Sequence, residues 1–362
     1  MDLRIAISTW DAPPAIGGPP RYIEELVKRL SNYIDIVLLV PSYASVKEKN
    51  GLEIRKIGSI DIPILRVCMF AVKASFLVKK IGVDLVHDNG VLGISGFSPF
   101  IETWHHSNLD DRRYLSFSAY YMSLYREFLT AKGINNADSI IAISSAAKKD
   151  LIDTHSVEDS KIHVVPHGVD TDFFKPIELC QQNKIKRDGK IYLLYVGALS
   201  KRKNLYSLIR AMKLIQSRRI DVQLLLIGDG DEKYRLQELV HALGLGKNVQ
   251  FLGSVSQEYL LLMYNTADYV ILPSYKEGFG MTVLEGLACG KPVIMTPVGI
   301  SDIIVSNNLG VVADGFDPSS LATAIELAIA DHNVKDLRAF VKANFSWERT
   351  IDKTLEVYRK TV

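Results

Sequence analysis

The segment Asp268–Met295, "DYVILPSYKEGFGMTVLEGLACGKPVIM", predicts a strand, a loop, a helix and a second strand in succession. Its apolar runs, "DYVILP" and "KPVIM", are continuous rather than alternating, which is typical of parallel strands covered on both faces by helices. The helix between them is expected to begin near Gly280 and to run through "MTVLEGLA". This stretch therefore predicts a parallel α/β unit.

The same alternation of strand and helix patterns extends over almost the whole chain. Further runs that predict strands are "RIAIS", "DIVLLV", "DLVHD", "FIETW", "SIIAIS", "IHVVP", "IYLLYVG", "VQLLLIG" and "VQFLG". At 362 residues the chain is too long for one ordinary core. We predict an α/β protein with two doubly wound, Rossmann-like domains and parallel sheets.

A polar segment, "IELCQQNKIKRDGK", follows neither the helix nor the strand period and is interpreted as a linker. We predict a first domain over residues 1–170, a linker over 171–188 and a second domain over 189–345. A terminal helix is predicted over 346–362, with the first domain as its candidate packing partner. Ligands bind at the carboxyl ends of strands in such sheets, so the two domains are expected to share a cleft.

Composition excludes several classes of protein. The 43 basic and 41 acidic residues leave a formal net charge of +2, so no overall field favours nucleic acid. Three distant cysteines, Cys68, Cys180 and Cys289, indicate neither a disulfide framework nor a zinc site. No apolar run reaches the roughly 18 to 20 residues of a membrane span. We expect a cytoplasmic protein, with local contact to the cytoplasmic face of a membrane left open.

Two carboxylates in the opening segment are candidate ligand-binding groups. Glu277 lies in the loop before the predicted helix, and Glu285 lies on its second turn. A carboxylate accepts hydrogen bonds from two vicinal hydroxyls, and a helix start offers unpaired N–H groups to a phosphate. The alternative is a pair of ordinary acids near a helix start.

Cations and glycines follow other predicted strands. Arg202 and Lys203 lie at the start of a helix, where a bound diphosphate would offset their unfavourable position; a solvated turn is the alternative. Gly17 and Gly18 are predicted to form a bend after the first strand, either for close backbone approach to a ligand or as a plain turn. His105 follows "FIETW" and is either a donor at a reacting centre or a structural histidine.

One competing motif is the Asp229-Gly-Asp231 triplet, which matches the Asp-x-Asp pattern that holds a divalent cation in other sugar transferases. Aspartate and glycine are also ordinary turn residues after strands. His87, His163 and His167 lie on different elements without the spacing of a zinc site. We expect no metal and no cofactor.

Taken together, these motifs resemble those of the retaining glycosyltransferases of family 4, which have the GT-B fold of two facing Rossmann-like domains. The matching stretches are "AIGGPPRYIEEL", "TWHHSN", "ADSIIAISSAAKKDLI", "VVPHGVDTDFFKP", "VGALSKRKNLYSLIRA", "LLLIGDGDEKYRLQELV", "NVQFLGSVSQEYLLLMYNTADYVILPSYKEGFGMTVLEGLACGKPVIMTPVGI" and "FSWERT". The two glutamates of the E-x7-E pattern are the most specific of these features.

This resemblance implies a donor site in the second domain. Glu277 would contact hydroxyls of the transferred sugar, and Glu285 would hold the ribose of a nucleotide. Arg202 and Lys203 would neutralise the diphosphate, although many relatives place an arginine where this chain has Ala198. The backbone that would help to bind sugar and phosphates belongs to Gly278, Phe279, Gly280 and Met281.

In the first domain, the resemblance implies that Gly17 and Gly18 approach the donor phosphates or the acceptor. His105 would lie beside the anomeric carbon, with His106 as the alternative. The first domain would bind the acceptor, a glycan or a lipid-linked glycan. Residues 108–129, "NLDDRRYLSFSAYYMSLYREFL", either face a membrane or pack on the core, and we favour core packing for their aromatic side chains.

The activity implied is metal-independent transfer of a hexose from GDP-mannose or a UDP-hexose, with retention of anomeric configuration. Alternatives on the same fold are a nucleotide-sugar epimerase, a phosphorylase or a non-catalytic sugar-nucleotide-binding protein. A dinucleotide-dependent oxidoreductase is disfavoured, because the first strand is followed by "STWDAPPAIGG" rather than by G-x-G-x-x-G.

Overall fold

The computed structural model describes residues 3–10, 12–13, 18–58, 63–105, 117–178, 189–330 and 336–362. Contacts divide the chain into two compact units. Unit 1 comprises Met1–His167 and Trp347–Val362, and unit 2 comprises Gly168–Ser346. Unit 1 is therefore built from two separate stretches of chain, whereas unit 2 is continuous.

The described part of unit 1 holds a seven-stranded parallel sheet in the order β3-β2-β1-β4-β5-β6-β7. The strands are β1 (Arg4–Thr9), β2 (Asp35–Pro41), β3 (Leu52–Ile57), β4 (Leu85–Asn89), β5 (Phe100–Trp104), β6 (Ser139–Ala142) and β7 (Ile162–Val164). The helices are α1 (Gly18–Leu30), α2 (Pro63–Val78), α3 (Phe117–Asn136), α4 (Ser145–His155) and the last helix of the chain, α12 (Trp347–Thr361). A 3-10 turn spans Asp159–Lys161.

The described part of unit 2 holds a six-stranded parallel sheet in the order β10-β9-β8-β11-β12-β13. Its strands are β8 (Ile191–Val196), β9 (Val222–Ile227), β10 (Val249–Gly253), β11 (Tyr269–Leu272), β12 (Val293–Met295) and β13 (Gly310–Val312). Its helices are α5 (Leu205–Ser217), α6 (Lys233–Ala242), α7 (Gln257–Thr266), α8 (Met281–Ala288), α9 (Ser301–Asn307), α10 (Pro318–Ala330) and α11 (Leu337–Asn344). A 3-10 turn, Lys201–Lys203, precedes α5.

These two parallel sheets confirm the predicted α/β class. Their central strands are apolar and buried on both faces, as β8 shows with Tyr192–Tyr195 fully enclosed. Both sheets reverse strand order at one place, between β1 and β4 in unit 1 and between β8 and β11 in unit 2. In doubly wound sheets the loops that leave the carboxyl ends of such strands form the ligand site.

The sequence did not predict two of the edge strands. β3, "LEIRKI", exposes the charged residues at its centre, because it pairs only with β2. β13 is three residues long and only half-buried. Edge strands need fewer apolar residues than central ones.

The first helix begins earlier than the sequence indicated. Gly18 was predicted to form a bend with Gly17, but it is the first residue of α1. Pro19 and Pro20 follow it in the first turn, where a fixed backbone angle suits a helix and no N–H partner is needed. Gly17 lies outside the described residues.

Helix α12 completes the core of unit 1. Trp347 stacks on Tyr22 of α1 at 6.1 Å, and the Thr350 hydroxyl donates to the carbonyl of Pro166 at 2.9 Å. Tyr358 is fully buried, and its hydroxyl lies 2.6 Å from Nδ1 of His87 on β4. Burial, with a smaller contribution from His105, lowers the pKa of His87 to about 3, so its imidazole is neutral at pH 7.

Replacing Tyr358 by phenylalanine is expected to destabilise unit 1 by about 2 kcal/mol, because a buried imidazole nitrogen loses its partner. Tryptophan fluorescence during urea unfolding measures this effect selectively, since every tryptophan of the chain belongs to unit 1: Trp10, Trp104 and Trp347. The control is Tyr33→Phe, at a side chain 60% exposed. Equal midpoints for the two variants would show that the His87 contact contributes nothing.

None of the helices in the described part of the chain combines the length and the apolar character needed to span a bilayer.

Candidate active site

The strand reversal in unit 2 brings two polar loops together. One loop follows β8 and contains the 3-10 turn Lys201–Lys203; the other follows β11 and leads into α8. The Tyr275 N–H donates to the Arg202 carbonyl at 2.9 Å, which ties the loops to each other. Residues more than seventy positions apart in sequence thus become neighbours.

Arg202, Lys203 and Glu277 form a charged cluster at this point. Lys203 Nζ donates to Glu277 Oε1 at 2.5 Å, and Arg202 Nη1 lies 3.5 Å from the same oxygen. Arg202 Nη1 also donates to the Lys276 carbonyl at 2.7 Å, and the Ser274 hydroxyl donates to Glu277 Oε1 at 2.7 Å. Side-chain exposures of 24%, 12% and 11% for Arg202, Lys203 and Glu277 leave the cluster largely shielded from water.

The cluster carries a net charge of +1 at neutral pH. Burial alone would raise the pKa of Glu277, but the neighbouring Lys203 and Arg202 outweigh it and lower that pKa to about 2. Glu277 is therefore an anion over the whole physiological range. The two cations can pair with phosphate oxygens, while the carboxylate remains available as a hydrogen-bond acceptor.

The helix that follows begins where the sequence predicted. Gly280 is the N-cap of α8 with φ +103°, and no side chain caps the helix. Phe279 is buried and packs edge-on against Phe345 at 6.0 Å. The backbone from Gly278 to Met281 thus runs past the charged cluster directly into a helix N-terminus, which is favourable for anions.

Gly299 fixes the position of this loop. It has φ +60°, and a Cβ placed on it would lie 2.5 Å from the Phe279 carbonyl oxygen and 3.4 Å from Glu277 Cβ. Only glycine fits this approach between two backbones. The sequence "TPVGI" gave no indication of this role.

Gly299→Ala is expected to lower the free energy of unfolding by about 3 kcal/mol, because the left-handed backbone strains an alanine and its Cβ would clash with the Phe279 carbonyl. Gly244→Ala is the matched control: Gly244 has φ +67°, and no described atom lies within 4 Å of where its Cβ would be, so it tests strain without the clash. Its expected cost is about 1 kcal/mol. Circular dichroism during urea unfolding compares the two; equal losses would contradict the close-packing argument.

Glu285 lies on the second turn of α8, as predicted, but it is almost fully buried, at 2% exposure. Its Oε2 accepts a hydrogen bond from the Tyr264 hydroxyl at 2.6 Å. Tyr264 packs edge-on against Phe174 at 5.7 Å, and burial together with Glu285 raises the pKa of the Cys289 thiol to about 12. One oxygen of Glu285 is thus engaged inside unit 2.

Unit 1 has its own polar group at the carboxyl ends of its central strands. His105 follows β5, and its Nε2 lies 3.3 Å from Asn89 Oδ1 at the end of β4. His167, which the sequence analysis considered only as a metal ligand and set aside, stacks on Tyr22 at 4.2 Å and lies edge-on to His105 at 5.6 Å. Burial and His105 lower the pKa of His167 well below its ordinary value. Gly17 and His106 lie outside the described residues.

The acidic triplet follows β9 and contacts the loop after β8, since the Leu199 N–H donates to the Asp229 carbonyl at 2.9 Å. Asp229 accepts a hydrogen bond from Lys233 Nζ at 2.9 Å, and this contact lowers the pKa of Asp229. Asp229 and Asp231 are exposed, and no group of three potential metal ligands occurs in the parts of the chain that the structure describes.

Family models match both halves of the chain. The model for glycosyltransferase family 4 matches residues 16–173, and the model for glycosyl transferases group 1 matches residues 177–347. The protein is a glycosyltransferase. It belongs to the group 1 glycosyltransferases of family 4 and has the GT-B fold, which confirms the resemblance in its sequence.

Among relatives, an uncharacterized glycosyltransferase of Methanocaldococcus jannaschii is 26% identical over 99% of this chain and 98% of its own length. A D-inositol 3-phosphate glycosyltransferase of Paenarthrobacter aurescens is 30% identical over 63% of this chain and 59% of its own length. The chain thus matches little more than half of the length of that enzyme.

Two solved structures share the fold over nearly their whole length. Sucrose-phosphate synthase from Thermosynechococcus elongatus has a TM-score of 0.85 and 23% identity, over 99% of this chain and 98% of that one. HepE of Anabaena, solved in complex with UDP-glucose, has a TM-score of 0.77 and 19% identity, over 99% of both chains.

Proposed function

We propose that this protein transfers a hexose from a nucleoside diphosphate sugar to a hydroxyl of a glycan or glycolipid, with retention of configuration and without a metal ion. The observation that carries this proposal is the cluster of Arg202, Lys203 and Glu277 at the strand reversal of unit 2. It combines cations for a diphosphate with an anion for sugar hydroxyls.

The diphosphate is assigned to Arg202 and Lys203. Both cations already converge on one carboxylate oxygen, so their charges are concentrated where a leaving group develops negative charge. The start of α8 adds backbone N–H groups on the same side of the sheet. These groups supply the charge compensation that a divalent cation provides in other transferases, which is the basis for proposing a metal-independent site.

The transferred sugar is assigned to Glu277 and the adjacent backbone of Gly278–Met281. With a pKa of about 2, Glu277 cannot donate a proton at neutral pH and acts as an acceptor that positions hydroxyls. In the retaining reaction, the anomeric carbon–oxygen bond breaks and its electron pair leaves with the diphosphate. The acceptor hydroxyl oxygen bonds to the same face, and its proton passes to the departing phosphate oxygen.

The nucleotide ribose is assigned to Glu285, which Tyr264 holds in place through Oε2. Unit 1 is assigned to the acceptor, with His105 at the strand ends as its reacting-centre contact. Asn89 fixes the His105 ring, and the neutral His167 packs beside it. Such a supported imidazole is suited to orienting a hydroxyl.

The donor is proposed to be a UDP-hexose or GDP-mannose. The HepE complex with UDP-glucose supports the first of these through shared fold alone. A cytoplasmic location is part of the proposal and is supported by two free cysteines among the described residues, Cys68 and Cys289.

Calorimetric titration with UDP, GDP, ADP, UDP-glucose and GDP-mannose, each with and without EDTA, tests this assignment. We expect micromolar binding to one base, unchanged by EDTA. Glu285→Ala should weaken nucleotide binding about tenfold, because the ribose loses a hydrogen bond to a charged group. Tyr264→Phe is the comparison: it removes the hydrogen bond to Oε2 but keeps the carboxylate, so it should weaken binding less than Glu285→Ala does. Binding only with Mn²⁺, or to no nucleotide, would contradict the proposal.

A further inference from the structure

Two acidic side chains lie next to each other inside the sheet of unit 1. The parallel register places Asp88 on β4 directly opposite Glu102 on β5, so both side chains lie on the same face of the sheet. Both residues are completely buried. Two adjacent carboxylates would repel each other strongly in such a site. The pair must therefore hold a proton or a cation.

Hydrogen bonds identify Asp88 as the ionised member of the pair. Its Oδ1 accepts from the Ser8 hydroxyl on β1, and its Oδ2 accepts from the Val91 and Leu92 N–H groups, at 2.7 and 2.5 Å. Burial raises the pKa of Asp88, but these donors oppose that shift because they favour the charged form. In contrast, neither oxygen of Glu102 accepts a hydrogen bond of normal geometry from the described residues. Glu102 is thus suited to be the protonated partner.

The surroundings of Glu102 favour its neutral form. Burial, followed by the charge of Asp88 and a hydrogen bond with it, raises the pKa of Glu102 well above its ordinary value, against the opposing effect of the Gly90 N–H. On β6 its neighbour is the apolar Ile140. Helix α3 covers the carboxyl through Gly133, where a Cβ would lie 2.9 Å from Glu102 Cδ. Only glycine permits such a close approach.

Other charged and imidazole side chains on the neighbouring elements do not contribute to this shift. Of the groups on β4, α3 and α4, only Asp88 acts on the pKa of Glu102. Glu127 on α3 lies 3.9 Å from His155 Nε2 on α4, and Lys132 lies over the Phe128 ring at 5.9 Å. The remaining groups are His87, Arg126, Lys148, Lys149, Asp150 and Asp153.

Asp88 is connected to His105 at the strand ends. By accepting from the N–H groups of Val91 and Leu92, Asp88 fixes the turn that begins with Asn89. Asn89 Nδ2 donates to the Ser8 carbonyl at 3.2 Å, and Asn89 Oδ1 lies 3.3 Å from His105 Nε2. The position of the His105 ring therefore depends on a turn that the acid pair holds.

We propose that Glu102 is a positioning residue: as a neutral acid it donates its proton to Asp88, and the pair fixes Asn89 and His105. When Glu102 loses this proton to water at high pH, two adjacent carboxylates remain, and their repulsion displaces the turn. The consequence for sugar transfer rests on the proposed function of His105. The shared proton and its effect on the His105 ring do not.

Infrared spectroscopy of the native protein tests the proton directly. Exposed carboxyl groups are ionised at pH 7, so we expect the carbonyl band of a protonated carboxylic acid there, and Glu102→Gln should remove it. Glu24→Gln is the matched control, because Glu24 is an exposed acid on α1; it should keep the band. Absence of the band from the native protein, or its retention in Glu102→Gln, would overturn the proposal. So would a bound metal ion whose removal by EDTA makes the band appear.

Urea unfolding followed by tryptophan fluorescence measures the same proton in unit 1. Because folding raises the pKa of Glu102, its stabilisation is complete below the ordinary value of about 4.5 and is lost as pH rises towards the folded value. The ratio of the unfolding constants of the native protein and Glu102→Gln should increase about tenfold per pH unit in this range. A ratio independent of pH would contradict the proposal.

Nuclear magnetic resonance of the His105 ring tests the positioning, without donor or acceptor. Over the pH range in which the infrared band disappears, the His105 signals of the native protein and Glu102→Gln should diverge, whereas those of Glu24→Gln should follow the native protein. Signals of Glu102→Gln that stay parallel to the native ones would refute the positioning role. A failure of sugar transfer alone would leave all three measurements unchanged.

Discussion

Replacing Arg202 and Lys203 together by alanine is expected to weaken nucleoside diphosphate binding about a thousandfold. Each cation removed costs a charge-assisted hydrogen bond to the diphosphate, about 1.5 to 3 kcal/mol, and the two lie on the same ligand. Single replacements should each cost about tenfold to a hundredfold. Calorimetry with the nucleotide that the native protein prefers measures all three variants.

The same double variant should respond to pH in the opposite sense to the native protein. In the native protein Glu277 has a pKa near 2, below its unfolded value, so stability falls as pH drops from about 4.5 towards 2. Without the cations, burial dominates and raises that pKa, so the variant gains stability as pH falls. At neutral pH it should be about 3 to 5 kcal/mol less stable.

Arg210→Ala with Lys213→Ala is the control for both measurements, because it removes the same charges from exposed positions on α5. This variant should bind nucleotide normally and show the native pH dependence. Equal nucleotide affinity in the two double variants would refute the assignment of Arg202 and Lys203 to the diphosphate.

Glu277→Gln is expected to reduce sugar transfer about a hundredfold to a thousandfold, while nucleoside diphosphate binding is retained or strengthened. The carboxylate is assigned to sugar hydroxyls, and its loss removes a charged acceptor from the transition state. Its removal also frees Arg202 and Lys203 from competition for the phosphates. Steady-state transfer assays and calorimetry separate the two effects.

Glu326→Gln provides the comparison, since Glu326 also pairs with an arginine, Arg218, but at an exposed site of unit 2. It should leave transfer unchanged. A parallel loss of transfer and of diphosphate binding in Glu277→Gln would mean that Glu277 only holds the cations, and would contradict its contact with the sugar.

Much of the fold follows from the sequence, because central parallel strands are buried on both faces and must be apolar. The continuous apolar runs of β1, β8 and β11 were sufficient to predict these strands. The edge strands β3 and β13 were not predicted, because an edge strand needs fewer apolar residues than a central one. The prediction that the aromatic side chains of α3 pack on the core was wrong for Tyr120, Tyr121 and Phe128, which are exposed. The sequence of a single helix does not show which neighbours cover it.

The site was predictable in its residue types and less so in its contacts. A helix starting at Gly280, with Glu277 before it, follows from local sequence. The pairing of Glu277 with Lys203 depends on strand order, and the enclosure of Glu285 by Tyr264 depends on packing between helices. Such contacts join residues far apart in the chain, which no periodicity encodes.

The discontinuous course of unit 1 imposes an order on biosynthesis. Helix α12 is translated after all of unit 2, yet it supplies Trp347 and Tyr358 to the core of unit 1. During synthesis, the first stretch of unit 1 therefore cannot complete its core, because His87 and Tyr22 lack these neighbours. The continuous unit 2 can fold as it leaves the ribosome. Until α12 is synthesised, unit 1 therefore exposes apolar surface that a chaperone could bind.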